Sequence, residues 1–261
     1  MASQSTWHDP VAHLRAALSE DAFDLYCQPI AALGGLVMAY PMGEILIRMR
    51  EEEQAMLPPG EFLPILEHYG LMPHLDRWVL RKVLKHLAVG IRIARLCLNT
   101  SAQTVADPSF PSFIADQLSA ARVPGNCLLF EIDEADAMAV PDSAARFAAL
   151  VASLGAGMVL DGFGRSADAV QLFEFVPCVR AVKLHGSFTR QLLTTGEASP
   201  LLAMILREAK RRGIMVVAEC VEDPKSLPQL KALGIRYVQG FGVYKPQPFE
   251  SFAEPHVMAA I

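Results

Sequence analysis

The chain has no run approaching the ~18 uncharged apolar residues that a membrane helix needs, so no span is expected. Its start, MASQSTWHDPVAHLRAAL, is polar and lacks a basic segment followed by an apolar core, so it does not read as a signal peptide. The expected location is therefore the cytoplasm, away from membranes. Surplus positive charge is also missing. The net charge of −5 gives no field that would gather DNA or RNA, and any nucleotide has to be held by local groups or metal ions. Cysteines are few and scattered (Cys27, Cys97, Cys127, Cys178, Cys220), odd in number and without a CxxC pair. That pattern excludes a disulfide framework and a zinc site, and buried, reduced thiols are expected. There is no Gly/Ser tether, low-complexity tract or short repeat, so residues 1–261 are expected to form one domain.

What the chain does have is a series of apolar runs that each end in a polar side chain. RIARLCLN ends at Asn99, CLLFE at Glu131, GMVLD at Asp161, AVK at Lys183, IMVVAE at Glu219 and RYVQ at Gln239. These ends lie 20 to 36 residues apart, which is room for one crossover helix between parallel strands. Strands that are apolar to a polar C-terminal tip are what a barrel of parallel strands needs, because its interior is packed and its chemistry sits where the strands end. A hydrophobic fraction of 52% over 261 residues suits one such core, since a barrel of this kind takes about 250 residues. The expected fold is α/β, a TIM-type (β/α)8 barrel with an irregular first strand.

Residues 9–20 read as a first helix capped by Asp9 with Pro10 at its first position. FDLYCQPI and LVMAYPMGEILIRM read as strands joined by AALGG, and EEEQAML as a charged surface excursion. Two helices follow in PPGEFLPILEHYG and HLDRWVLRKVLKHLAVG, the second with apolar residues at helical spacing. Further helices are expected at roughly 102–121, 142–155, 166–175, 199–213 and 224–234, several closed by a glycine.

Glu44, Asn99, Glu131 and Asp161 would supply three carboxylates and an amide at neighbouring strand ends. Such a hard-oxygen set suits Mg²⁺ or Mn²⁺ better than zinc. Lys183 and Glu219 add a cation and a further carboxylate, and Arg48, four residues after Glu44, could pair with a phosphate. Taken singly, Asn99 has the ordinary role of a turn residue, and Glu131 or Glu219 that of a salt-bridge partner. Their shared place on one face is what points to a site.

These residues carry a family resemblance. YCQPI at 26–30, GEILIRM at 43–49, LPPGEFLPILEHYGLMPHLDRWVL at 57–80, LNTS at 98–101, FEIDEAD at 130–136, LDGFG at 160–164, AVKLHGSF at 181–188, VVAECVE at 216–222 and VQGFGVYKPQP at 238–248 together resemble an EAL domain. That is the family of cyclic di-GMP phosphodiesterases and their degenerate receptor relatives, and the likeness spans about residues 11–250. The resemblance implies Glu44, Asn99, Glu131 and Asp161 as metal ligands. It makes Glu44, Lys183 and Glu219 the catalytic groups, with Lys183 positioning the attacking water. Gln28, Arg48 and Gln239 become ligand-binding positions, and Glu134 steadies the loop after Asp161. Active members use two metal ions to open one phosphodiester of the cyclic dinucleotide, giving linear pGpG.

The pattern is broken on one side. The first triplet reads Glu44-Ile45-Leu46, which keeps the ligand. Gly162 stands where active members have a second consecutive aspartate, and His185 where they have an aspartate two residues after the lysine. The loop GFGRSADAV also departs from the family's segment. Both missing carboxylates belong to the second metal, so one Mg²⁺ or Mn²⁺ site is expected and a second is doubtful. His185 could serve as a nitrogen ligand for Mn²⁺, or simply be satisfied by its neighbours. The expected function is a degenerate EAL domain that binds cyclic di-GMP as a receptor with impaired or no hydrolysis. It would pass occupancy to a protein effector partner, with a homodimer possible. The alternatives are an active metal-dependent phosphodiesterase and a protein-interaction module that has lost nucleotide binding.

Overall fold

A computed structural model describes residues 7–34, 39–50 and 56–253. Strands β1 (Phe23–Ala32), β2 (Ala39–Arg50), β3 (Met56–Leu57), β4 (Leu96–Asn99), β5 (Leu128–Asp133), β6 (Gly157–Phe163), β7 (Val179–Leu184), β8 (Met215–Ala218), β9 (Tyr237–Val238) and β10 (Gln247–Pro248) form one sheet. Eight of them close into a barrel. Neighbours from β2 through β4, β5, β6, β7 and β8 to β9 are parallel, and β1 closes the ring antiparallel to both β2 and β9. The two-residue strands β3 and β10 flank β2 and β1. This is the TIM-type barrel expected, and the irregular first strand is the reversed β1.

The alternation of side chains along a strand sorts the barrel into layers. Ile45, Leu98, Phe130, Leu160, Val182 and Ala218 pack outward with the helices in the larger core cluster. Ile30, Met42, Cys97, Leu129, Val159, Ala181 and Val217 form a separate apolar floor inside the barrel, with Tyr237 against it. One step of two residues above this floor stands the polar layer described below.

The first helix, Pro10–Ser19, starts as expected, with the Asp9 side chain accepting from the Ala12 amide. The expected helix 102–121 is two, Ala102–Ala106 and Phe110–Ala121. Pro108 lies between them, and Asp107 before it is extended (ψ 110°), because the proline ring disfavours helical backbone in the preceding residue. The expected helix 166–175 shrinks to Leu172–Phe175 after a 3₁₀ turn at Ala169–Gln171. The helix expected over 224–234 is Leu227–Ala232. Two helices were not foreseen: Glu134–Ala139, directly after β5, and Gly186–Thr195, directly after β7. Of the segment EEEQAML, Met56 and Leu57 pair with the end of β2, and the rest lies outside the described residues, as does the start of LVMAYPMGEILIRM. The cysteines are free; Cys27 and Cys97 are buried as expected, whereas Cys220 is exposed. No helix among the described residues is long and apolar enough to cross a membrane.

Candidate active site

Moving two residues toward the mouth from each floor position replaces the apolar floor with polar side chains. Ile30 gives way to Gln28 on the reversed β1, Met42 to Glu44, Cys97 to Asn99 and Leu129 to Glu131. Around the rest of the ring, Val159 leads to Asp161, Ala181 to Lys183, Val217 to Glu219 and Tyr237 to Gln239. Each of the eight barrel strands or its tip contributes one: the strand period of two turns them inward, and the stagger that pairs Glu44 with Cys97, Glu131 with Val159 and Lys183 with Val217 brings them together. Eight of the sequence-derived positions therefore converge. Arg48 does not join them: its guanidinium donates to the Ile47 carbonyl at 2.7 Å and lies 5.3 Å over the Tyr26 ring.

Lys183 organises the layer from its centre. It is 1% exposed, and its Nζ reaches across the barrel to Glu44 Oε2 at 2.8 Å, Glu131 Oε1 at 2.6 Å, Glu219 Oε1 at 3.1 Å and Asp161 Oδ1 at 3.6 Å. Burial would discharge this ammonium, but Glu131, Glu44, Glu219 and Asp161 together push its pKa well above the ordinary lysine value. For Glu44, burial opposes ionisation, yet Lys183 and hydrogen bonds from Lys183, Asn99 and Gln239 outweigh it and keep its pKa low. The Asn99 and Gln239 amides donate to it at 3.0 and 2.7 Å. Gln239 also donates to Gln28 at 3.2 Å, and Gln28 to the Tyr244 carbonyl at 2.9 Å, so the β9–β1–β2 seam is hydrogen-bonded through.

One ammonium cannot serve four carboxylates. Burial, with Glu44 and Asp161 nearby, raises Glu131 well above the carboxylate range despite Lys183. Burial raises Glu219 to about 7, with Asp161 and Glu44 adding to the effect against Lys183. Glu131 Oε2 and Asp161 Oδ1 are buried without a hydrogen-bond partner. Hard oxygens without hydrogen bonds on adjacent strands, with excess negative charge around them, fit a divalent cation, which Glu131, Asp161, Asn99 and Glu44 would hold. Among the described residues no three His, Cys, Asp or Glu side chains form a ready cage, and Lys183 sits between the carboxylates. An ion there would have to share the layer with that ammonium.

The neighbouring β6 and β7 ends are built differently. Gly162 offers no side chain, and the His185 Nδ1 is engaged with Ser187 Oγ at 2.8 Å at the start of its helix. Glu134 is 2% exposed, and its carboxylate accepts from the amides of Gly164, Arg165 (3.2 Å) and Ser166 (2.8 Å) in the loop after β6. Residues that sequence reasoning passed over are Arg165, paired with Asp133, and Asp76, which accepts from Ser101 N and Oγ at 3.1 and 3.0 Å. Burial raises Asp76 to about 6. A cavity of about 370 Å³ runs outward from Glu44, Asn99, Glu131 and Asp161 between Ile45–Ile47 and the helices at 59–68 and 72–89. Leu63, Met72 and Val79 make one wall apolar, while Glu67, Asp133 and Asp136 make the rim acidic.

Comparison with known proteins agrees with this architecture. The family model described as EAL domain matches residues 11–246. The chain is 29% identical over 241 residues to the cyclic di-GMP phosphodiesterase PdeB of Shewanella oneidensis, covering 91% of this chain and 28% of that protein. It is 29% identical over 238 residues to the cyclic di-GMP phosphodiesterase PdeF of Escherichia coli, covering 90% and 31%. The chain thus spans under a third of the length of these curated relatives. Among solved structures, the FimX EAL domain of Pseudomonas aeruginosa bound to cyclic di-GMP superposes with a TM-score of 0.83 at 28% identity, covering 92% of this chain and 96% of that one. The Xanthomonas citri FimX EAL domain in complex with cyclic di-GMP gives 0.82 at 27% identity, covering 92% and 93%.

Proposed function

The chain belongs to the EAL domain family, and from that premise we propose that it is a cyclic di-GMP receptor whose hydrolytic power is impaired or lost. The observation that carries this reading is the asymmetry of the barrel mouth. Glu44, Asn99, Glu131, Asp161, Lys183 and Glu219 remain in contact through Lys183 and Glu44, whereas Gly162 and His185 leave the neighbouring position without carboxylates. One Mg²⁺ or Mn²⁺ at Glu131 and Asp161 would neutralise a phosphodiester. Loss of a ligand for a second ion costs about 10–100-fold or more in affinity or activity. Gln28 and Gln239, hydrogen-bonded into the polar layer, are assigned to the dinucleotide in this reading, and Arg48 to a phosphate at the outer edge. Residues 1–261 act as a single EAL-like domain in this reading, placed in the cytoplasm. A receptor must hand occupancy on, so a protein effector partner is assigned to it. A homodimer belongs to this reading on the family likeness alone.

Calorimetric titration with cyclic di-GMP in Mg²⁺ or Ca²⁺ tests the binding. Saturable heat is expected, and none at dinucleotide concentrations on the order of tens of micromolar contradicts the receptor. The second reading, an active phosphodiesterase, draws on the six retained residues. Single-turnover incubation in Mg²⁺ and Mn²⁺ separates the two: intact dinucleotide after hours supports the receptor, and conversion to pGpG that Glu44→Ala abolishes supports the enzyme. Thermal denaturation that the dinucleotide leaves unchanged would leave only an interaction module.

A further inference from the structure

The space left by the missing side chain at 162 is filled. Gly162 has φ +57°, and a Cβ built on it would lie 2.8 Å from Arg165 Nη2, 3.0 Å from Cζ and 3.2 Å from Nε. The guanidinium therefore covers the position from which a second aspartate would project. It is fixed there at both ends: Nε donates to the Gly162 carbonyl at 3.1 Å, and Nη2 pairs with Asp133 Oδ2. Its own backbone amide is held by Glu134. Asp133 and Asp161 are register partners on β5 and β6, so this arginine lies beside the two outermost carboxylates of that side. The Asp133 hydrogen bond chiefly raises the Arg165 pKa, with Asp133, Glu134 and Asp161 adding charge stabilisation. A guanidinium is permanently charged and its planar fork suits a carboxylate and a carbonyl together.

We infer that Arg165 is an internal cation standing in for a second metal ion at the β6 end of the mouth, compensating Asp133 and Asp161 and fixing the loop without an ion. This rests on the one-ion reading above for the rest of the site. Arg165 would then be a third change, besides Gly162 and His185, that separates this mouth from a two-ion site. An aspartate at 162 could adopt φ +57°, since Asp is among the few residues that visit left-handed backbone, but it would meet the guanidinium.

Counting bound Mn²⁺ by electron paramagnetic resonance, with no nucleotide present, tests this directly. With His185→Asp present in every chain compared, Gly162→Asp is expected to bind no more Mn²⁺ than the chain without it, and Gly162→Asp with Arg165→Ala one ion more per chain. Equal counts in the single and double variants, or an added ion in the single variant, overturn the inference. A parent that binds no ion would contradict the one-ion reading while leaving the variant comparison intact. Should Gly162→Asp fail to fold, the Tm rise on adding Mn²⁺ decides. It should be larger for Arg165→Ala than for the parent and return to the parent's value in Arg165→Lys. An unchanged rise in Arg165→Ala overturns the inference as well.

Discussion

The two sides of the barrel mouth are built by different rules. On the β2–β4–β5 side, Glu44, Asn99 and Glu131 sit in unbroken parallel register, each two residues beyond an apolar floor residue. Strand periodicity alone delivers those side chains, and the core beneath guarantees it. On the β6–β7 side the register shifts between Leu160 and Phe163, and a left-handed glycine turns the chain away. There the arrangement depends on a loop, on Glu134 and on Arg165. The first side cannot lose its geometry without losing the barrel. The second can lose its chemistry while the barrel stays intact, which is why the departures collect there.

Removing the cation that both sides share should have the largest effect. Lys183→Met leaves Glu44, Glu131, Asp161 and Glu219 facing one another with no counter-charge. Removing one partner of a buried pair typically costs about 3–5 kcal/mol. Urea unfolding at pH 7 in a chelator should show a loss of that order. The loss should shrink at pH 5, where the orphaned carboxylates take up protons, and an equal loss at both pH values would sink the account.

Next in size is the loop. Glu134→Gln keeps the shape but gives three backbone donors one neutral carbonyl oxygen and an amide that repels them. A hydrogen bond to a charged group contributes about 1.5–3 kcal/mol, so a loss of about 2 kcal/mol is expected. Hydrogen exchange should quicken at Gly164 and Ser166 while amides of β2 and β4 stay protected. Uniform quickening would mean that the two sides are not separable.

The difference between the sides also explains what was readable in the sequence. The apolar runs and their polar tips pointed to the parallel barrel and to six of the eight residues in the ring, because period and burial are local properties of a strand; Glu44, which lies within β2, was grouped with them as a further oxygen. Gln28 came only through the family likeness, since its strand runs the other way and its tip is the near end. Arg165 was not legible: it lies in a loop, and its role depends on the space above Gly162. Asp76 looked like one more polar residue on an amphipathic helix. Only the packing of that helix against Ser101 makes it a buried cap.

Gly162→Ala probes the second side more gently. A non-glycine residue in left-handed backbone costs about 1–2 kcal/mol, and here the new Cβ also meets the Arg165 guanidinium. Combining it with Arg165→Ala should bring the cost down to the backbone part, so the two substitutions should be non-additive in thermal unfolding. Strict additivity would mean that the guanidinium yields without resistance.

The smallest effect is in pH, and its sign follows from the crowded carboxylates. Glu219, pushed up to about 7 mainly by burial, binds a proton more tightly folded than unfolded. A raised folded pKa contributes stability that is fully present below the unfolded value and is lost as pH rises through the folded one. In a chelator, stability should therefore fall by about 1 kcal/mol between pH 6 and pH 8. Glu131 is raised in the same direction by burial and by its acidic neighbours. A metal ion on these oxygens replaces their protons, and its affinity grows with pH. Saturating Mn²⁺ should flatten or invert the fall, as read by Tm at each pH. An identical fall with and without Mn²⁺ would mean that the excess negative charge is relieved by protons alone, and the oxygens of Glu131 and Asp161 would then not be a cation site.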